Sequence, residues 1–115
     1  MTEVITAPSL NDIRAAVERI ADRFHPRRVI LFGSFARGAP APDSDVDLLV
    51  EMDTPLRNVE QAVEIRRAVD FPFPTDLLVR TPQQVAERRA LGDTFLKEVV
   101  EKGMLLYEAP DSGMG

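Results

Sequence analysis

Val29-Ile30-Leu31-Phe32 is an unbroken apolar run that opens on β-branched residues and has no polar alternation, the pattern of a strand buried on both faces. Such a strand needs apolar cover above and below, so the chain must supply helices to pack on it. Ser9 can cap the first of these, because Leu10, Ile13, Val17, Ile20, Ala21 and Phe24 recur at helical spacing and form one stripe. His25-Pro26 ends it.

The rest of the chain alternates in the same way. Asp45 to Val50 restores strand character after a turn-rich loop from Gly38 to Ser44. Thr54-Pro55 reads as an N-cap and first-turn proline for a helix reaching about Val69, with Val59, Val63 and Arg66 on adjoining turns. Phe71-Pro72-Phe73-Pro74 breaks that helix, and Thr75 to Arg80 is a third strand. Thr81-Pro82-Gln83-Gln84 matches a capping box and starts another helix. Gly92-Asp93 divides it from a last helix, Thr94 to Lys102, whose apolar side is Phe95, Leu96, Val99 and Val100 and which Gly103 closes. Met104 to Tyr107 is a final strand, with Tyr107 as packing. The fold class is α/β, of the α+β kind.

With 115 residues, 44% hydrophobic and 29% charged, the chain suits one domain with a modest core. The expected domain spans 9–108, with flexible ends at 1–8 and 109–115. No apolar run is long enough to cross a bilayer and no secretory pattern opens the chain, so the expected location is cytoplasmic. Cysteine is absent, which excludes disulfides, thiolate zinc sites and cysteine nucleophiles. A net charge of −5 argues against stable binding of long nucleic acid, which needs concentrated Lys and Arg. Arginine makes up 12 of the 14 basic residues. Arg23, Arg27 and Arg28 gather around His25-Pro26, as a phosphate or acidic-partner contact or as an ordinary solvated surface.

The chemistry concentrates in Gly33-Ser34-Phe35-Ala36-Arg37-Gly38 and, ten residues beyond Ser34, in Asp45-Val46-Asp47. Strand side chains alternate, so Asp45 and Asp47 share a face about 6 to 7 Å apart, within reach of one or two bridged metal ions. Aspartate is unfavourable in strands, and two on one face repel. Asp76 heads a later strand that could lie parallel or antiparallel beside the pair. Three carboxylates within about 5 Å would repel by roughly 3 kcal/mol per pair at an effective dielectric of 20. An all-oxygen set favours Mg²⁺ or Mn²⁺ over Zn²⁺. Gly33-Ser34, where a buried strand turns into a short helix, can present backbone N–H groups and a hydroxyl to an anion, with Arg37 one turn on. Asp43 precedes the strand beside Pro42 and reads as a turn residue.

Gly33-Ser34, the gap of ten, Asp45-x-Asp47 and the later Asp76 resemble the signature of the nucleotidyltransferase superfamily of the DNA polymerase β type, and most of all its minimal nucleotidyltransferase (MNT) group. Arg37-Gly38 and Ser44 also fit the small-protein version, and Phe95 to Tyr107 is similar to the closing helix and strand of many MNT proteins. The resemblance implies a small mixed sheet packed by helices, with ATP and Mg²⁺ (or Mn²⁺) as donor and cofactor. It implies that Gly33 and Ser34 hold the triphosphate, that Asp45 and Asp47 hold metal, and that Asp76 completes a second metal site and helps activate the acceptor hydroxyl. Similarity to MNT antitoxins further implies AMP transfer to a tyrosine of a partner HEPN-type toxin ribonuclease. A binding-only antitoxin and a small-molecule, antibiotic-modifying transferase are the alternatives. The intact motif speaks against the first, and the lack of room for an acceptor domain against the second.

Overall fold

The computed structural model describes residues 7–38, 40 and 43–110. Most of the expected flexible ends, 1–6 and 111–115, and part of the Gly38 to Ser44 loop lie outside the described residues. Within them the order is α1 (Leu10–Phe24), β1 (Arg28–Phe32), β2 (Val46–Glu51), α2 (Asn58–Ala68), β3 (Thr75–Arg80), α3 (Pro82–Ala90), α4 (Thr94–Lys102) and β4 (Met104–Glu108). The expected α+β class holds.

Local chemistry explains most of the boundaries. The Ser9 hydroxyl accepts from the Asp12 N–H at 3.1 Å while the Asp12 carboxylate accepts from the Ser9 N–H at 2.9 Å, so two otherwise unpartnered donors at the start of α1 are satisfied. His25 ends the helix in the left-handed region, at φ 51°, with its N–H donating to the Ala21 carbonyl. Thr81 and Gln84 form the anticipated capping box of α3, with Pro82 in its first turn.

The strands form one sheet in the order β3-β2-β1-β4, in which β1 is antiparallel to both neighbours and β2 is parallel to β3. A parallel pair needs a crossover, and α2 supplies it. Alternation divides the sheet into two apolar faces. Val29, Leu31, Val46, Leu48, Val50, Leu77 and Val79 join Ile13, Val17 and Ile20 of α1 and Ile65 of α2 in the larger core. On the reverse face Ile30 and Leu49, with Phe32 and Leu78 beside them, pack on Leu96, Val99 and Val100 of α4. The strand at Val29 to Phe32 is therefore covered on both sides, as its unbroken apolar run requires.

Three expectations are corrected. Thr54-Pro55 does not cap α2. Its hydroxyl accepts from the Leu56 N–H at 3.0 Å and donates to Gln61 Oε1 at 2.6 Å, closing a tight turn, and the helix begins only at Asn58. Nor does α2 bury Val59 and Val63, which are exposed; Gln61 and Ile65 face inward instead. Ile65 offers more apolar surface to the sheet, and the Thr54 hydroxyl satisfies the buried Gln61 amide oxygen. Leu10 and Phe95, assigned to apolar stripes, are also partly exposed.

Gly103 ends α4 without a left-handed turn, at φ −72°. Its reason is crowding. A Cβ there would fall against the Val99 carbonyl, 2.6 Å from Ile30 Cγ2 and 2.9 Å from the Leu31 carbonyl oxygen. Gly103→Ala should therefore lower stability by about 1 to 3 kcal/mol, the usual cost of overpacking. Denaturant unfolding followed by circular dichroism checks this; an unchanged midpoint would show that α4 and β1 are free to separate.

Candidate active site

The parallel ladder between β2 and β3 sets the geometry. Val46 N–H donates to the Pro74 carbonyl at 2.9 Å, and from there the register runs Val46 opposite Thr75, Asp47 opposite Asp76 and Leu48 opposite Leu77. The entry of β3 is further fixed by Arg66, which donates to the Thr75 carbonyl at 2.6 Å, and by the Thr75 hydroxyl, which donates to the Phe73 carbonyl at 3.0 Å. Register partners on parallel strands point to the same face, and neighbouring strands lie about 4.8 Å apart. Asp47 and Asp76 are thus direct neighbours.

Asp45 comes just before β2, two residues from Asp47, and is exposed. The Asp47 carboxyl is raised from its ordinary value, first by burial, then by Asp76, then by Asp45, with Arg37 opposing. Arg37 is itself exposed and lies close enough for its charge to be felt.

Gly33 completes the cluster from β1. Phe32 pairs with Asp47 across the antiparallel ladder, and Gly33 follows in the left-handed region at φ 77°. A Cβ on Gly33 would collide with Asp47 Oδ2, and would stand 3.2 Å from its Cγ. The glycine is needed twice over, for its backbone conformation and for the approach of the carboxylate. Residues 33–38 then form successive turns, with the Arg37 N–H reaching back to the Gly33 carbonyl at 3.2 Å, rather than the short helix expected from the sequence. With glycine at both ends, at Gly33 and Gly38, both at positive φ, the segment curls once and stops. Ser34 is half-buried and caps no helix.

The structure brings Asp47 and Asp76 together at one end of one sheet face with Gly33 against Asp47, while Asp45, just before β2, and Arg37, in the turn, are near enough to act on the Asp47 charge, and Ser34 follows Gly33. Of the arginine cluster it disperses one member: Arg28 lies in β1 and pairs with the buried Glu51, Nη2 to Oε1 at 2.6 Å, while Arg23, His25 and Arg27 stay exposed. Asp43 sits in a turn and is exposed.

The donor set is oxygen throughout, which suits a hard divalent cation. Among the described residues no three acidic or imidazole side chains close into a ready-made metal cage. Magnesium does not need one, since it is commonly held by one or two carboxylates together with water and substrate phosphates.

The nucleotidyltransferase domain family matches residues 13–107, from within α1 to within β4. The chain belongs to that family. This nucleotidyltransferase is 21% identical over 86 residues to a candidate protein adenylyltransferase of Methanocaldococcus jannaschii, an alignment covering 75% of this chain and 81% of the relative. Its fold is that of a candidate nucleotidyltransferase from Sulfolobus solfataricus, at 20% identity and a TM-score of 0.60, covering 86% of this chain and 79% of that one. It also matches a toxin–antitoxin structure with AMP-PNP, at 24% identity and a TM-score of 0.57 over 89% of this chain and 77% of that one. A third similar structure is a mutant of the toxin–antitoxin MntA–HpeT in which two aspartates two positions apart are glutamates; it has 21% identity and a TM-score of 0.57, covering 91% of this chain and 79% of that one. These likenesses establish the polymerase β-like fold for the nucleotidyltransferase. No helix of the described residues is long and apolar enough to cross a membrane.

Sequence reasoning did not foresee Arg66 as the residue that secures the start of β3, nor the approach of α4 to the turn at Gly33. Nothing local signals either, because both contacts join segments distant in the chain.

The raised Asp47 carboxyl gives a signed prediction. A carboxyl raised in the folded state contributes stability below its unfolded value and loses it as pH rises through the folded value. Without metal, Asp47→Asn should therefore melt at or above wild type near neutral pH, by on the order of 1 kcal/mol after solvent screening. The gap should shrink as pH falls into the carboxylate range. A variant less stable than wild type at neutral pH would mean that Asp47 is a structural partner instead.

Proposed function

We propose that this nucleotidyltransferase is a protein adenylyltransferase of the antitoxin type, moving AMP from ATP to a tyrosine of a partner HEPN-type toxin ribonuclease and silencing it. The observation that carries the reading is the in-register pair Asp47 and Asp76, like charges held side by side at one end of the sheet, with Asp47 seated against Gly33. Such a pair is costly unless a cation and phosphates are to sit there.

In this reading Asp45 and Asp47 hold Mg²⁺, Asp76 contributes to a second metal position, and Gly33, Ser34 and Arg37 receive the triphosphate. Bound Mg²⁺ would supply charge neutralisation at the attacking and leaving oxygens. The tyrosine oxygen forms a bond to the α-phosphorus while the bond from that phosphorus to the bridging oxygen breaks, and pyrophosphate departs with the electron pair. In the same reading Asp76 takes the tyrosine proton. Arg37, with its fixed donor fork, orients phosphate oxygens, and Asp47 is kept from drifting by its seat on Gly33.

Two similarities support the choice of acceptor. One relative bears the description of a protein adenylyltransferase, and two structural neighbours are toxin–antitoxin assemblies, one of them with a nucleotide analogue. The aspartates replaced in the third structure have the same spacing as Asp45 and Asp47. AMP added beside a ribonuclease site would put negative charge and bulk where RNA phosphates bind, so inhibition follows from repulsion and occlusion together.

The test is intact-mass measurement of the partner toxin after mixing with this protein, ATP and Mg²⁺. Wild type should add whole AMP groups, and an Asp45→Asn, Asp47→Asn double variant none. A toxin that is neutralised while its mass stays unchanged would replace this reading by steric inhibition alone.

A further inference from the structure

Beside the carboxylates the sheet face is not bare. The turn that follows Phe32 and Gly33 stands opposite α4, and between them lies a cavity of about 110 Å³ lined by Phe32, Gly33, Arg37, Phe95, Glu98 and Lys102 among others. The three α4 residues follow one another at helical spacing, so they form a single stripe about 10 Å long. The stripe is chemically graded. At its start Phe95 is half exposed, its ring held edge-on against Phe32 with centroids 5.6 Å apart. At its end Lys102 is exposed, with its Nζ 3.8 Å from the Glu98 carboxylate one turn back.

We propose that this stripe of α4 is the second wall of the nucleotide site, with Lys102 joining Arg37 on the phosphate oxygens and Phe95 bearing on the base. The inference rests on the nucleotide-transfer reading and extends it to residues outside the motif. A cation at one end and an aromatic at the other, along a groove that opens at Gly33 where Asp47 is seated, is the arrangement a nucleoside triphosphate calls for. At about 110 Å³ the cavity is smaller than the roughly 300 Å³ and more of a pocket that encloses a whole ligand, so the nucleotide lies along the groove with its outer side open. Glu98 works against binding: it shares the groove with the phosphates and holds Lys102 in an ion pair of its own. Each wall residue thus carries its own sign and its own ligand dependence.

Calorimetric titration of the full chain with ATP and with AMP, each in Mg²⁺, tests this without any acceptor present. Lys102→Gln should weaken ATP about tenfold and AMP hardly at all, because one charge-assisted contact to the outer phosphates is lost. Glu98→Gln should tighten ATP about threefold, with the gain fading at high salt. Phe95→Leu, which keeps apolar cover over Phe32, should weaken both ligands about fivefold alike. Lys102 and Glu98 are exposed, so these two variants carry the test even if Phe95→Leu melts early. Wild-type binding of ATP with unchanged affinities in Lys102→Gln and Glu98→Gln would overturn the α4 wall and leave the transferase reading standing. Equal losses of ATP and AMP in Lys102→Gln would remove Lys102 from the phosphates. A wild type that binds neither ligand would overturn both.

Discussion

The parallel pairing of β2 with β3 is the constraint on which the rest depends. It sets Asp47 directly beside Asp76, and it does so from behind: on the opposite face Leu48, Val50, Leu77 and Val79 are buried in the larger core by the same register. Burying each such side chain is worth about 1.5 to 3 kcal/mol. The repulsion between two partly screened carboxylates is on the order of 1 kcal/mol, so the core wins and holds the charges together. A slip of one residue would relieve the repulsion but would turn every apolar side chain of the strand to the wrong face.

The same sheet face shows what balanced charges look like. At the far end of the ladder Arg80, Glu51, Arg28 and Glu108 are successive register partners across all four strands, alternating in sign, and Arg28 and the buried Glu51 are joined at hydrogen-bond distance. At the near end the corresponding row reads Asp76, Asp47, Phe32. Charge on this face is tolerated in one place because it is paired and in the other without a facing partner on the next strand. The proposed metal–nucleotide site rests on that asymmetry, and Gly33 leaves its Cβ position to the Asp47 carboxylate.

Much of this was legible because it depends on neighbours in the chain. The caps at Ser9 and Thr81, the breaks at His25-Pro26 and Gly92-Asp93, and the run Thr75 to Arg80 all act within a turn or a strand. The same holds for the two-residue spacing of Asp45 and Asp47, although Asp45 comes just before β2 rather than within it. The reading failed where a local rule met a distant partner. Thr54-Pro55 has the composition of a helix start, yet its hydroxyl is taken up by Leu56 and Gln61 in a turn. Val59 and Val63 fall on adjoining helical turns, yet the crossover turns Ile65 to the sheet and leaves both valines exposed. The segment after Gly33 carries no signal that α4, some sixty residues on, will face it across a groove.

The sequence by itself determined which residues would form strands and helices, that the strand at Val29 needed cover on both sides, and that carboxylates, a Gly-Ser turn and an arginine were the chemical resources. Those properties follow from side-chain periodicity and backbone preference, which act over a few residues. Only the tertiary structure decided that β3 runs parallel to β2 in the register that pairs Asp76 with Asp47, that Arg66 secures its entry, that Arg28 is consumed by Glu51, and that α4 completes a wall beside Gly33. Each of those choices depends on how much apolar surface one whole arrangement buries against another, a comparison that no window of the sequence contains.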